Sequence, residues 1–192
     1  MVPQPVKFSA DVMLDAVRTL VLDGGPTAAS ARAVCAATGA SSGSVYHRFP
    51  RRDDLVAAAW LRAEDRFLGV YLDALGASGR GAAIEAAVTV LSWSRDCPAD
   101  AALLLRYALA DLLRGDISPA LAERAEVNRL ALRDALYAVA DAIGHRPRDV
   151  VLAVADLPYT VIRRTLRDGG TPTDDDIAAV RRAATLLLPP TP

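Results

Sequence analysis

The chain has 192 residues, of which 52% are apolar and 23% charged, a globular balance with enough length to bury a core. Its longest uncharged run, Ala33 to His47, holds two Gly and several Ser and Thr, too short and too polar to span a bilayer. The stretch from Met1 to Val12 lacks the basic patch and apolar run of a secretory signal. Cys35 and Cys97 are the only thiols, so a reducing, cytoplasmic setting without a disulfide is expected. Net charge is −1, yet Gly24 to Arg52 carries four Arg and no acid. A basic segment on an otherwise acidic chain points to a local anionic partner.

Strand signals are scarce, and Ala, Leu and Arg, all good helix formers, dominate. The first helix is expected to start at Ser9, with Phe8 stapled onto Met13. Its buried stripe is Met13, Val17, Leu20 and Val21, and Gly24-Gly25-Pro26 ends it. Ser30 caps a short second helix that stops at Thr38, with Gly39 as the left-handed residue. A third runs from Ser41 or Ser42 to about Phe49-Pro50, and a long fourth covers 51–76, with Asp53 and Asp54 in its first turn.

Beyond the break at Gly76 to Gly81, segments 82–96 and 99–114 are apolar on nearly all sides, as in helices inside a bundle. Segment 119–143 is amphipathic, with Ala125, Leu132, Leu136, Val139 and Ile143 on one stripe. Pro147 opens an apolar helix that reaches Asp168, and Pro158 is expected to kink it. Asp174 to Asp176 start a last helix with Ile177, Val180, Ala184 and Leu187 on one face. The expected fold is therefore all-α, with about nine helices.

Residues 30–49 place two short helices around the turn Thr38-Gly39-Ala40-Ser41, the pattern of a helix-turn-helix. Val34, Ala37, Val45 and Phe49 are the expected inward positions. Opposite Val45 the second helix presents Gly43, Ser44, Tyr46 and His47, with Arg48 at the edge. Gly43 would allow close approach to a DNA groove, and Ser, Tyr and His can bond base edges or phosphates. Arg51 and Arg52 stand at a helix start, where cations are disfavoured, which suggests an external anion. Gly39-x-Ser41-x-Gly43 also fits a nucleophile elbow, but that motif needs a preceding strand.

Tyr46-His47-Arg48-Phe49-Pro50-Arg51-Arg52-Asp53-Asp54-Leu55, preceded by Gly39-Ala40-Ser41-Ser42-Gly43-Ser44-Val45, resembles the DNA-binding domain of the TetR family of bacterial transcriptional regulators. The likeness covers roughly residues 8–60. It implies that Ser42, Gly43, Ser44, Tyr46 and His47 enter the major groove of double-stranded operator DNA. It further implies that Ser30, Arg32 and Arg52 hold phosphates or groove edges. Ser42 stands where many members have Lys or another long polar side chain, while Arg48 and Arg51 add charge at positions where His and a small polar residue are common.

The resemblance also implies that residues 1–50 form a helix-turn-helix domain, linked by helix 51–76, and that 51–192 bind an effector and dimerise. Trp93, Cys97, Arg106, Tyr107, Tyr137, Asp156 and Tyr159 interrupt apolar surroundings and are the candidate lining of an effector pocket. A hydrophobic or aromatic small molecule would suit it. Segment 147–168 and the last helix carry apolar residues on several faces, which points to a homodimer through these two helices. No His or Cys has metal-ligand spacing and no Gly-rich loop follows a strand. Neither a metal, a cofactor nor an enzyme is expected. The rival reading is an all-helical small-molecule carrier or enzyme without DNA function.

Overall fold

The computed structural model describes residues 9–190, and among them every regular element is helical. In chain order these are α1 (Ala10–Gly24), α2 (Ala31–Thr38), α3 (Ser42–Arg48), α4 (Arg52–Gly76), α5 (Arg80–Asp96), α6 (Pro98–Arg106), α7 (Leu109–Leu112), α8 (Pro119–Ile143), α9 (Pro147–Val151), α10 (Leu157–Arg167) and α11 (Asp174–Leu187). A π-helical turn, Leu152–Asp156, joins α9 to α10. The chain divides into two compact units, one up to Ala63 together with Tyr107–Arg124, the other Glu64–Arg106 together with the residues from Ala125 on. The division falls inside α4, and a segment distant in sequence joins the amino-terminal unit.

In that unit, the Ser9 hydroxyl accepts from the Val12 N–H at 3.3 Å and starts α1; the expected Phe8 staple lies outside the described residues. Met13, Leu14, Val17 and Val21 form the buried stripe of α1, while Leu20 is half-buried. The segment expected as one helix over 99–114 is broken at Tyr107-Ala108. The Trp60 indole N–H donates to the Tyr107 carbonyl at 2.9 Å. The Asp111 carboxylate accepts from the Ala108 N–H at 3.1 Å and starts the short α7.

The second unit is built on α5, whose Ala83, Ile84, Ala86, Ala87, Val88, Leu91 and Trp93 are buried. Leu136, Val139, Ala140 and Ile143 of α8 and Val180 and Ala184 of α11 belong to the same core as Ile84 and Leu91. Phe67 stacks on Tyr71, with ring centroids 5.0 Å apart, and lies tilted against Trp93 at 5.1 Å. The Asn128 amide donates to Glu64 at 2.9 Å and to Asp65 at 2.7 Å. Asp176 and Thr173 cap each other at the start of α11, so one of the three aspartates closes a capping box.

Pro158 explains the π-helical turn. It has no N–H to give the Val154 carbonyl, its partner in an α-helix. The helix widens, with the Leu157 N–H bonding back to Leu152, and the Tyr71 hydroxyl donates to the Val154 carbonyl at 2.7 Å. Burial, with a smaller contribution from the Asp156 charge, pushes the Tyr71 phenol above its ordinary value and keeps it a donor.

Candidate nucleic-acid interface

α2, the turn and α3 are fixed by a chain of small local bonds. Ser30 accepts from the Ala33 N–H at 3.2 Å and caps α2. Thr38 donates to the Val34 carbonyl at 2.7 Å and accepts from the Ala40 N–H at 3.2 Å, tying the end of the helix to the turn. Gly39 has φ 75° and ψ 7°, a left-handed conformation that a Cβ would strain. Ser41 then accepts from the Ser44 N–H at 3.2 Å and caps α3. Val34 and Val45 are fully buried and Phe49 is half-buried. Ala37 is exposed instead of inward, and Ala40 takes the buried place. The left-handed turn at Gly39 swings the chain so that the second position of the turn, not the end of α2, meets the core.

With Val45 pinned inward, Ser42, Gly43, Tyr46, His47 and Arg48 are all exposed, Tyr46 to 55%. Ser44 is half-buried and accepts from Arg48 at 3.1 Å. A Cβ built at Gly43 would meet nothing within 4 Å, so neither internal packing nor backbone strain accounts for glycine there. Arg32 is exposed on α2. These residues share one unit and lie on two short consecutive helices, separated only by a three-residue turn.

The two arginines after α3 differ. Arg51 is half-exposed, with Nε 3.3 Å from the Asp54 carboxylate and a second donor 3.3 Å from the Asp116 carbonyl. Arg52 is turned inward, with a side chain only 19% exposed. Its guanidinium donates to the carbonyls of Ala29 at 3.2 Å and Leu112 at 2.6 Å, to the carbonyl of Pro26, and to Asp53 at 2.8 Å. Four of its five N–H groups are thereby used. Arg52, expected to hold a DNA phosphate, is bound to internal carbonyl and carboxylate partners through all but one of its N–H groups.

Asp53 and Asp54 are buried and complete this clamp. Asp53 also accepts from the backbone N–H groups of Arg114 at 3.0 Å and Gly115 at 2.7 Å, and Asp54 accepts from that of Ser118 at 2.7 Å. Burial alone would raise the Asp53 pKa, but the bonds from Arg52, Arg114 and Gly115 outweigh it and hold the carboxyl below its ordinary value. The clamp brings Arg114 beside Arg51, around a shallow hollow of about 410 Å³. Arg114 is exposed and was not among the expected site residues. No local pattern marks it, because its proximity depends on two aspartates some sixty positions away capping the loop.

The expected effector residues do not converge on one place. Trp93 is packed in the core of the second unit, and Cys97, half-buried, follows the last turn of α5; both cysteines are unbridged. Tyr107 belongs to the amino-terminal unit. Tyr137 and Asp156 flank a hollow of about 330 Å³ with Arg148 and Leu152, and Tyr159 is exposed on α10. Arg106 lines a different and larger groove. A further hollow of about 330 Å³, walled by Leu72, Leu75, Val139 and Ile143, involves none of the seven. Helical periodicity marked these residues as unusual for their surroundings but carries no information on which helix faces meet.

Among the described residues, no helix is long and apolar enough to cross a membrane. Residues 13–59 match the family model described as bacterial regulatory proteins, tetR family. No curated protein matches the chain. Among solved structures, a transcriptional regulator from Rhodococcus sp. RHA1 superposes with a TM-score of 0.70 at 22% identity, over 94% of this chain and 96% of that one. A TetR family transcription regulator from Marinobacter aquaeolei VT8 gives 0.69 at 18%, over 93% and 94%. FadR from Bacillus subtilis, solved with stearoyl-CoA, gives 0.67 at 11%, over 96% and 100%.

Proposed function

Because this chain has the fold and the amino-terminal domain of TetR-family transcription regulators, we propose that it is a dimeric repressor which binds a palindromic operator and is released by a small-molecule effector. α3 is the recognition helix in this reading. Ser42, Gly43, Ser44, Tyr46 and His47 read base edges, and Ser30, Arg32, Arg48, Arg51 and Arg114 hold phosphates. The observation that carries it is the open face of α3, above all a helical glycine whose missing side chain would meet nothing in the protein. Glycine within a helix costs stability, and close approach of a partner's surface accounts for that cost. A carrier or enzyme without DNA function has no use for this face, so we read a regulator, working in the cytoplasm.

The dimer is proposed through α10 and α11. Val180 and Ala184 are consumed by the unit's own core. Leu152, Tyr159, Leu186 and Leu187 remain exposed, Leu186 to 81%, and supply the apolar surface for a second copy. A two-fold dimer sets two recognition helices one DNA turn apart, about 34–36 Å. α4 is one unbroken helix whose first half belongs to the amino-terminal unit and whose second half belongs to the other. Effector binding would act through it, with a coupling of about 1–3 kcal/mol.

The test is fluorescence anisotropy on a palindrome selected from random DNA, at several salt concentrations. Tyr46→Ala and His47→Ala should weaken the selected site more than unrelated DNA. Arg51→Ala and Arg114→Ala should weaken both alike and flatten the salt dependence by about one unit for each phosphate no longer held. Four variants with wild-type affinity on both DNAs would refute the docking.

A further inference from the structure

The second unit carries a groove of about 720 Å³ between the end of α6 and one face of α10. α10 contributes Thr160, Arg163, Arg164 and Arg167, at the spacing of i, i+3, i+4 and i+7 that puts all four on a single stripe. Arg106, the last residue of α6, adds a fourth guanidinium, and the half-buried Leu105 and Leu166 supply an apolar portion.

Internal acids neutralise this cluster poorly. Arg164 lies 3.7 Å from Asp176 and Arg167 lies 3.6 Å from Asp168, both beyond hydrogen-bonding distance. Arg106 and Arg163 make no hydrogen bond or ion pair among the described residues. Helix dipoles favour a cation near the C-terminal end of each helix, which accounts for an arginine in the last turn of either helix taken alone. They do not account for two helices converging four guanidinium groups on one concavity, in a chain whose sequence outside residues 24–52 is net acidic.

We propose that this groove binds a small polyanion, with a diphosphate-type head held by the arginines and a less polar portion lying along Leu105 and Leu166. Guanidinium groups bond phosphate oxygens in pairs, and several of them suit a head with more than one charge. The volume lies within the range of small-molecule sites. This deepens the effector half of the proposed function by naming its chemistry. It rests on that reading only for the consequence at DNA, and the binding itself stands apart.

The experiment is isothermal titration calorimetry of the full chain, free of DNA, with inorganic pyrophosphate and with adenosine 5′-diphosphate as probes. Both should bind, the nucleotide more tightly because it adds the less polar portion, and both should weaken as salt rises. The double variant Arg163→Gln/Arg167→Gln and the single variant Arg106→Gln should each lose about tenfold or more. Arg129→Gln, on α8 and outside the groove, should leave binding unchanged. The replaced side chains are exposed, and circular dichroism melts verify the fold of each variant. No heat from either probe at millimolar concentration would overturn the inference. So would wild-type binding by the double variant, loss of binding in Arg129→Gln, or a change of mass in the groove variants, which would assign the arginines to a second copy. Binding that is lost in the groove variants but leaves operator affinity untouched would support the polyanion site and remove the effector reading.

Discussion

Arg52→Ala separates the phosphate contact expected from the sequence from the clamp seen in the structure. If the guanidinium held DNA, its loss would flatten the salt dependence of binding and leave the fold intact. The structure instead ties it to three backbone carbonyls, two between α1 and α2 and one at the end of α7, and to the buried Asp53. Hydrogen bonds to charged groups contribute about 1.5–3 kcal/mol each, though they do not add when one group makes them all. Removing one partner of a largely buried pair costs about 3–5 kcal/mol, and the 19% exposure of the side chain puts the value nearer 3. For a unit of this size, one kcal/mol moves Tm by about 4–8 °C, so a fall of roughly 12–24 °C is expected. Arg52→Lys should recover little, because one ammonium cannot span carbonyls lying in different directions. Arg51→Ala, its half-exposed neighbour, should melt within about 0.5 kcal/mol of wild type. Thermal and urea unfolding followed by circular dichroism provide the assay. Wild-type melting of Arg52→Ala together with a flatter salt dependence would refute the clamp and restore the phosphate contact.

Gly43→Ala should move stability and affinity in opposite directions. The added methyl meets nothing and should stabilise the fold by up to about 0.5–1 kcal/mol, while operator binding measured by anisotropy should fall. The depressed pKa of Asp53 makes its contribution fully present above the ordinary carboxylate value of 3.8. It should be lost as pH falls through the lower folded value, so acid melts of Asp53→Asn should be less stable near neutrality and lack this part of the acid loss. Leu186→Glu should yield a folded monomer by sedimentation, of half the wild-type mass. Val180→Glu should fail to fold, because Val180 is 1% exposed.

Most helices and the exposed face of α3 were legible in the sequence because both depend on local rules. Ser30, Ser41, Gly39 and the Val45 period fix α2, the turn and α3 within a span of twenty residues, and the structure follows them. Ala37 shows the limit of the same rule: helical spacing places it with Val34, but the chain leaves the helix at Thr38 and the core is met by Ala40 instead. Arg52 and Arg114 were not legible in the role they have. Their surroundings come from Pro26, Ala29 and Leu112 for one, and from Asp53 and Arg51 for the other, across separations that no period encodes. The effector candidates are scattered for a related reason, since a polar residue in an apolar helix says that something faces it but not what. The arginine stripe of α10 is periodic and could have been found by counting i, i+3, i+4 and i+7; its meeting with Arg106 could not.

The π-helical turn at Leu152–Asp156 also sets a phase. Val150, Val154, Pro158 and Ile162 are all buried, at steps of four residues. In an unbroken α-helix each such step advances about 40° around the axis, so the last would stand roughly 120° from the first. One widened turn absorbs much of that drift and lets a single face stay inward across its length. Everything after it is rotated relative to an α-helical continuation, including Arg163 and Arg167. Restoring ordinary winding over Leu152–Asp156 with every residue kept would turn the later half by about 100°. The arginines would then leave the groove and Ile162 would leave the core together. Position along the chain and orientation around the axis are thus set separately here: one residue could leave the widened turn, with ordinary winding restored, and the later half would still face as it does.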